Sequence, residues 1–144
     1  MTMRAVVAVV VPALLGALTS CDSAERRDAE VVLTAIHRFR SAPNESLPAM
    51  VDALRATPCA NPDTCRARDE CLALGESTAK ALRLKSEVEQ SLAALDKGTL
   101  AKDSAEAQSL PKKLDDAETL LKQGHAGLPR CDDAVQALKR KHRL

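Results

Sequence analysis

Aromatic side chains are nearly missing from this 144-residue chain, which has no Trp, no Tyr and a single Phe, Phe39. Without rings there are no stacking platforms for single-stranded nucleic acid, and a formal charge of +1 supplies no basic footprint for duplex DNA. Nucleic acid is therefore not an expected partner. Glycine is also scarce, at five residues, and none sits in a phosphate-cradling loop. The GxSxG, HExxH and CxxC patterns that mark nucleophilic, zinc and redox chemistry are absent too, so no catalytic residue, cofactor or metal ion is expected. The length allows one small domain. Its 45% hydrophobic content is almost all Ala, Leu and Val, which makes for a thin core.

The opening residues carry one positive charge, Arg4, followed by an unbroken apolar or small run from Ala5 to Leu18. That run is too short to cross a hydrocarbon core of about 30 Å as a helix, which takes roughly 20 apolar residues, and it has the length of a secretory signal. Pro12 and Gly16 would further loosen a membrane-spanning helix. The next four residues, Leu18-Thr19-Ser20-Cys21, resemble the lipobox of bacterial lipoproteins. The resemblance implies that residues 1–20 are removed and that the Cys21 thiol carries the acyl chains, two or three of which give stable anchoring where one would be marginal. The lipid bilayer is then the first expected partner. Asp22 resembles the inner-membrane retention signal of some enteric bacteria, a rule that differs among bacteria.

Cysteine arithmetic supports the same reading. Five cysteines are an odd number for an exported chain, and consuming Cys21 leaves four, Cys59, Cys65, Cys71 and Cys131, enough for two disulfides. A Cys/His zinc site would need reduced thiols and at least three ligands at suitable spacing, and His37, His125 and His142 are scattered. The four cysteines are read as structural. From Cys21 onward, 20 basic residues balance 20 acidic ones.

Apolar positions in the mature chain recur at helical spacing, with no period-two stretch that argues for a strand, so the expected fold is all-α, a bundle of about five helices stapled by two disulfides. Residues 21–26 read as a short tether. The first helix runs from about Ser23 to Arg40 with Val32, Ile36 and Phe39 on one stripe, and Pro43 closes it. A second spans about Leu47 to Ala56. Asn61-Pro62 reads as the cap and first residue of a long third helix that stops at Gly98. Its seam, Cys71, Leu74, Thr78, Ala81, Lys85, Val88, Leu92 and Leu95, alternates steps of three and four. A fourth helix returns through Ala107, Leu110, Leu114, Ala117 and Leu121 and is expected to end near Gly124, with a fifth starting at Pro129. The short connection at Gly98-Thr99 favours pairing within the chain, and self-association between copies is the lesser reading.

The acidic pairs Asp69-Glu70, Asp115-Asp116 and Asp132-Asp133 do not read as acid and base, because neighbours on a helix point about 100° apart. The tail Lys139-Arg140-Lys141-His142-Arg143 reads as a solvated helix end favoured by the dipole, with contact to anionic lipid or an acidic partner as the alternative. The functional expectation is a non-catalytic envelope lipoprotein that meets another envelope protein as an adaptor, inhibitor, exclusion or immunity factor. The alternative is an envelope enzyme or ligand-binding module acting on cell-wall material, whose site would be built from distant residues.

Geometry orders the disulfide pairings. Cys65 and Cys71, six residues apart on one helix, are separated by about 9 Å along the axis and about 120° around it, and cannot be bridged. Of the two remaining pairings, Cys59 with Cys65 and Cys71 with Cys131 is preferred, because Cys71 heads the seam that faces the returning chain. The anchor itself is directly testable. Replacing Cys21 with Ser should leave the protein unacylated and either release it from membranes or stall its processing; unchanged mass and unchanged fractionation would contradict the lipobox reading.

Overall fold

The computed structural model describes residues 19–144, with side chains from Ser23 onward. It contains four helices, α1 (Thr19–Arg40), α2 (Leu47–Ala56), α3 (Pro62–Asp96) and α4 (Ala105–His142), and no strand among the described residues. Of the expected signal segment 1–20, residues 1–18 lie outside the described residues, and Thr19 and Ser20 fall in the first turn of α1. The segment read as a tether is continuous with α1, and Ser23 to Arg27 are exposed helix.

Each helix end has a local cause. α1 stops ahead of Pro43 with His37, Arg38 and Arg40 in its last turn, where cations favour the dipole. α2 ends at Thr57, whose extended backbone is what the following Pro58 requires. The Asn61 side chain accepts a hydrogen bond from the Thr64 N–H and opens α3 with Pro62 in its first turn. The Asp28 carboxylate on α1 in turn accepts from Asn61 Nδ2 at 2.8 Å and from the Ala60 N–H, which ties the cap to its neighbour. After α3, Gly98 takes a left-handed φ of 70° and the chain reverses. Ser104 caps α4 by accepting from the Ala107 N–H.

The fifth helix does not exist as a separate element. α4 runs unbroken through Pro111, Gly124, Gly127 and Pro129. Pro129 removes the N–H that would reach the His125 carbonyl, but both residues are exposed, so water can satisfy the freed oxygen. The opposite face is an uninterrupted seven-residue series, Leu110, Ala117, Gly124, Cys131 and Leu138, all buried. A continuous apolar face outweighs the local preference of two prolines and a glycine pair.

α3 and α4 form a long antiparallel hairpin, and α1 and α2 pack against the half of it that lies away from the turn. The core there joins Val32, Ile36 and Phe39 of α1, Leu47, Val51 and Leu54 of α2, and small residues of α3 such as Ala67 and Ala79. Phe39 lies on Gly75, where an added Cβ would fall 2.7 Å from the ring and 2.9 Å from Val51. The only aromatic ring therefore packs on bare helix backbone. Three residues further along α3, an added Cβ at Gly124 would meet Thr78 Oγ1 at 2.7 Å, so α4 approaches equally closely. Beyond Arg83 the hairpin continues alone for about 20 Å, the length of thirteen helical residues.

Two disulfides staple this arrangement in the pairing that the helix geometry favoured: Cys59–Cys65 across the start of α3, and Cys71–Cys131 between α3 and α4. Cys71 and Cys131 are both fully buried. Their sequence separation is 60, against 6 for the other pair. On the chain-entropy model the long link stabilises by about 4 kcal/mol and the short one by about 2 kcal/mol. Removing the pair Cys71 and Cys131 by Ala substitution should therefore lower the denaturation free energy by about twice as much as removing Cys59 and Cys65. Urea titration checks this, and equal losses would contradict it.

Candidate functional site

The hairpin beyond the core shows how one charge displaces a seam. In the alternating steps of three and four, Lys85 and Leu92 stand seven apart on one stripe of α3, and burying that stripe would bury the Lys85 ammonium. The helix is instead turned so that Lys85 is exposed and pairs with Glu89 at 3.6 Å. Ser91 is then buried, at 5% exposure, and its hydroxyl bonds to the Glu106 carboxylate of α4 at 2.6 Å. Leu92 comes out to 47%. On α4 the residues Leu110 and Ala117 are buried, while Leu114 and Leu121 remain 49% and 48% exposed.

These three leucines lie on one side. Ala107, Leu114 and Leu121 are seven apart and drift only about 20° per step along α4. Ala107 shares a surface depression with Leu92 and Leu95. The open side of the hairpin is thus an apolar strip shared by both helices, with Lys85 at its edge.

The other end of the molecule is charged. Lys141 Nζ lies 2.8 Å from Asp63 on α3 and 3.9 Å from Glu25 on α1. The hydrogen bond from Lys141 holds the Asp63 carboxyl below its ordinary value, and the same contact raises the Lys141 ammonium. A cleft of about 430 Å³ opens beside this pair between the start of α3 and the end of α4, lined by Arg66, Asp133, Leu138 and Arg140 among others. A wider, shallow depression of about 780 Å³ between α1 and α2 has Val31, Ala35, Ala53 and Pro58 along it, with Arg27 and Arg38 at the rim.

Comparisons with protein-family models, with curated proteins and with solved structures give no match to this chain.

The acidic pairs are spread over separate surfaces, and four of their six residues are engaged in ion pairs: Asp69 with Arg68, Glu70 with Arg130 at 3.4 Å, Asp116 with Lys112, and Asp132 with Arg40 at 2.6 Å. The last of these fastens the end of α1 to α4. His37 and His125 are exposed on different helices. Among the described residues no group of three or more His, Cys, Asp or Glu is placed to hold a metal ion, and no helix is long and apolar enough to cross a membrane. Cys21 falls in the first turns of α1, and its side chain lies outside the described residues. Cys59, Cys65, Cys71 and Cys131 are all in disulfides.

Two features escaped the sequence pattern. His142, read there as part of the solvated tail, is buried at 6% exposure, because it continues the inward stripe Val135, Leu138 of α4. The exposure of Leu92, Leu114 and Leu121 was also missed, although Lys85 on the same stripe was its signal.

The Asp63–Lys141 contact has a defined pH window. A lowered Asp63 pKa means that its contribution is present above the ordinary carboxylate range and fades as pH falls through the lowered value. A raised Lys141 pKa means that its contribution is present below the ordinary lysine range and is lost as pH rises through the raised value. NMR titration should find the Asp63 carboxyl ionising at lower pH than a free aspartate, and Lys141→Ala should return it to the ordinary range. An unchanged midpoint would contradict the contact.

Proposed function

We propose that the protein is a bacterial envelope lipoprotein, anchored through acylated Cys21, whose helical domain binds another envelope protein and catalyses no reaction. The anchor reading is supported by Leu18-Thr19-Ser20-Cys21 and by the even set of four cysteines left once Cys21 is set aside. Disulfide stapling of a small domain suits an oxidising compartment, whether the domain faces the periplasm or the exterior.

The observation that carries the binding reading is the strip of Leu92, Leu114 and Leu121, each about half exposed on one side of a hairpin that projects beyond the core. Half-exposed leucines gathered on a protruding two-helix element present an apolar face at little cost in folding, and a groove-forming helical partner would cover them. An adaptor, inhibitor, exclusion or immunity role uses such a face without a cavity. The charged cleft at the other end belongs to a different surface.

A photoreactive residue at position 114, expressed in the native membrane, should give one discrete heterologous adduct. Leu121→Glu should abolish that adduct while changing stability by about 1 kcal/mol or less, since the side chain is already half in water. Absence of any adduct would contradict the reading, and an adduct of twice the protein's own mass would replace it with self-association.

A further inference from the structure

Three helix ends lie toward one pole of the molecule. The middle of α1 is bound to the start of α3 through Asp28, Ala60 and Asn61, Lys141 in the last turn of α4 reaches both Glu25 and Asp63, and the first turn of α1 runs on about 10 Å beyond Asp28 at the same pole. Arg40 at the far end of α1 meets Asp132, nine residues back along α4, so the two helices run in opposite directions. The start of α1, where Cys21 stands, therefore shares a pole with the start of α3 and the end of α4. The hairpin turn at 97–104 lies at the opposite pole, about 52 Å away along the 35 residues of α3.

Charge follows the same axis. Residues 25–28, 61–66 and 139–143 carry seven Lys or Arg against three Asp or Glu, whereas the whole chain has a formal charge of only +1. The three acids are already committed, Asp28 to the cap of α3, and Glu25 and Asp63 to Lys141. Arg66, Lys139, Arg140 and Arg143 enter no ion pair among the described residues. Around the distal turn, residues 96–106 carry two basic and three acidic side chains. The dipole of α4 accounts for cations in its last turn but not for Arg66 near the start of α3, where it gives a cation no advantage. Arg66 and Arg140 both line the 430 Å³ cleft at this pole, together with Asp133 and with Asp63, whose carboxylate is taken by Lys141, and the cleft is of a size to admit a phosphate group.

The geometry points to this basic pole as the surface that sits on the anionic phospholipid headgroups of the leaflet holding Cys21, with a headgroup phosphate taken between Arg66 and Arg140. The inference rests on the lipoprotein reading above. It sets the hairpin upright, so that Leu121, Leu114 and Leu92 stand about 30 to 45 Å above the base of the domain. Each lysine or arginine at an anionic surface contributes about 1 kcal/mol, a factor of about five in occupancy.

The test uses the lipidated full-length protein in phosphatidylcholine vesicles with and without phosphatidylglycerol, with limited acetylation of lysines read by mass spectrometry. Acetylation of Lys139 should fall about fivefold or more when phosphatidylglycerol is present, recover in 0.5 M salt (about a 4 Å screening length), and be unaffected by inorganic phosphate. Lys97 and Lys102 at the distal turn should react equally in both vesicles. Equal reactivity of Lys139 in the two vesicles, protection of the distal lysines instead, or protection by inorganic phosphate alone would overturn the inference. Intact mass separates this from the anchor: if Cys21 carries no lipid, the lipoprotein reading fails by itself. The unacylated Cys21→Ser chain should still sediment weakly and salt-sensitively with phosphatidylglycerol vesicles, and Lys139→Glu with Arg140→Glu and Arg143→Glu should abolish that binding. No sedimentation of the Cys21→Ser chain would overturn the basic pole as a lipid surface.

Discussion

The bridge between Cys71 and Cys131 is the constraint on which the rest of the structure depends. It is fully buried, it crosses between the two long helices, and it closes a loop of 60 residues. A core with one aromatic ring buries little apolar area per residue, so the hydrophobic contribution that would otherwise hold α1 and α2 onto the hairpin is small. The bridge reduces the entropy of the unfolded chain by an amount comparable with a large part of a small domain's net stability. It also fixes the register of α3 against α4, opposing Thr78 with Gly124 and Leu74 with Gly127. From that register follow the closeness of the two helices at the core and the contacts of everything further out.

At the stapled end α3 is packed on both sides, by α4 and by α1 with α2, and its small residues Ala67, Gly75 and Ala79 allow this. Past Arg83 it has only α4 beside it, and a two-helix pair leaves one side of its seam in water. Lys85 decides which side. Keeping the ammonium solvated turns Leu92 outward with it, and Ser91 takes the inward place by bonding to Glu106. The molecule divides accordingly into a cross-linked, basic end and a two-helix end, close to neutral at its tip, that carries the exposed leucines.

Much of the fold was legible in the chain. The caps at Asn61 and Gly98, the stripe Val32, Ile36, Phe39 and the disulfide pairing all follow from local chemistry or from helix geometry, and each is where those arguments place it. The continuity of α4 was not legible, because Pro129 and Gly127 are strong local signals for a break. What overrides them is the apolar series from Leu110 to Leu138, whose effect depends on the partner helix being present. The candidate binding face was hidden for a related reason. A three-four seam in sequence does not say which half faces the partner, and the deciding terms, the solvation of Lys85 and the Ser91 to Glu106 bond, are tertiary.

The most direct test of this account is native-state hydrogen exchange, resolved by segment, on the oxidised and the fully reduced protein. In the oxidised protein the amides of residues 64–79 and 127–138 should be the slowest to exchange, and those of 84–96 and 105–121 should be distinctly faster. Reduction should bring the first group down to the level of the second, because the bridge that distinguishes them is gone. Equal protection along the whole hairpin in the oxidised state, or stapled-end protection that survives reduction unchanged, would contradict the claim that the Cys71–Cys131 bridge organises the structure.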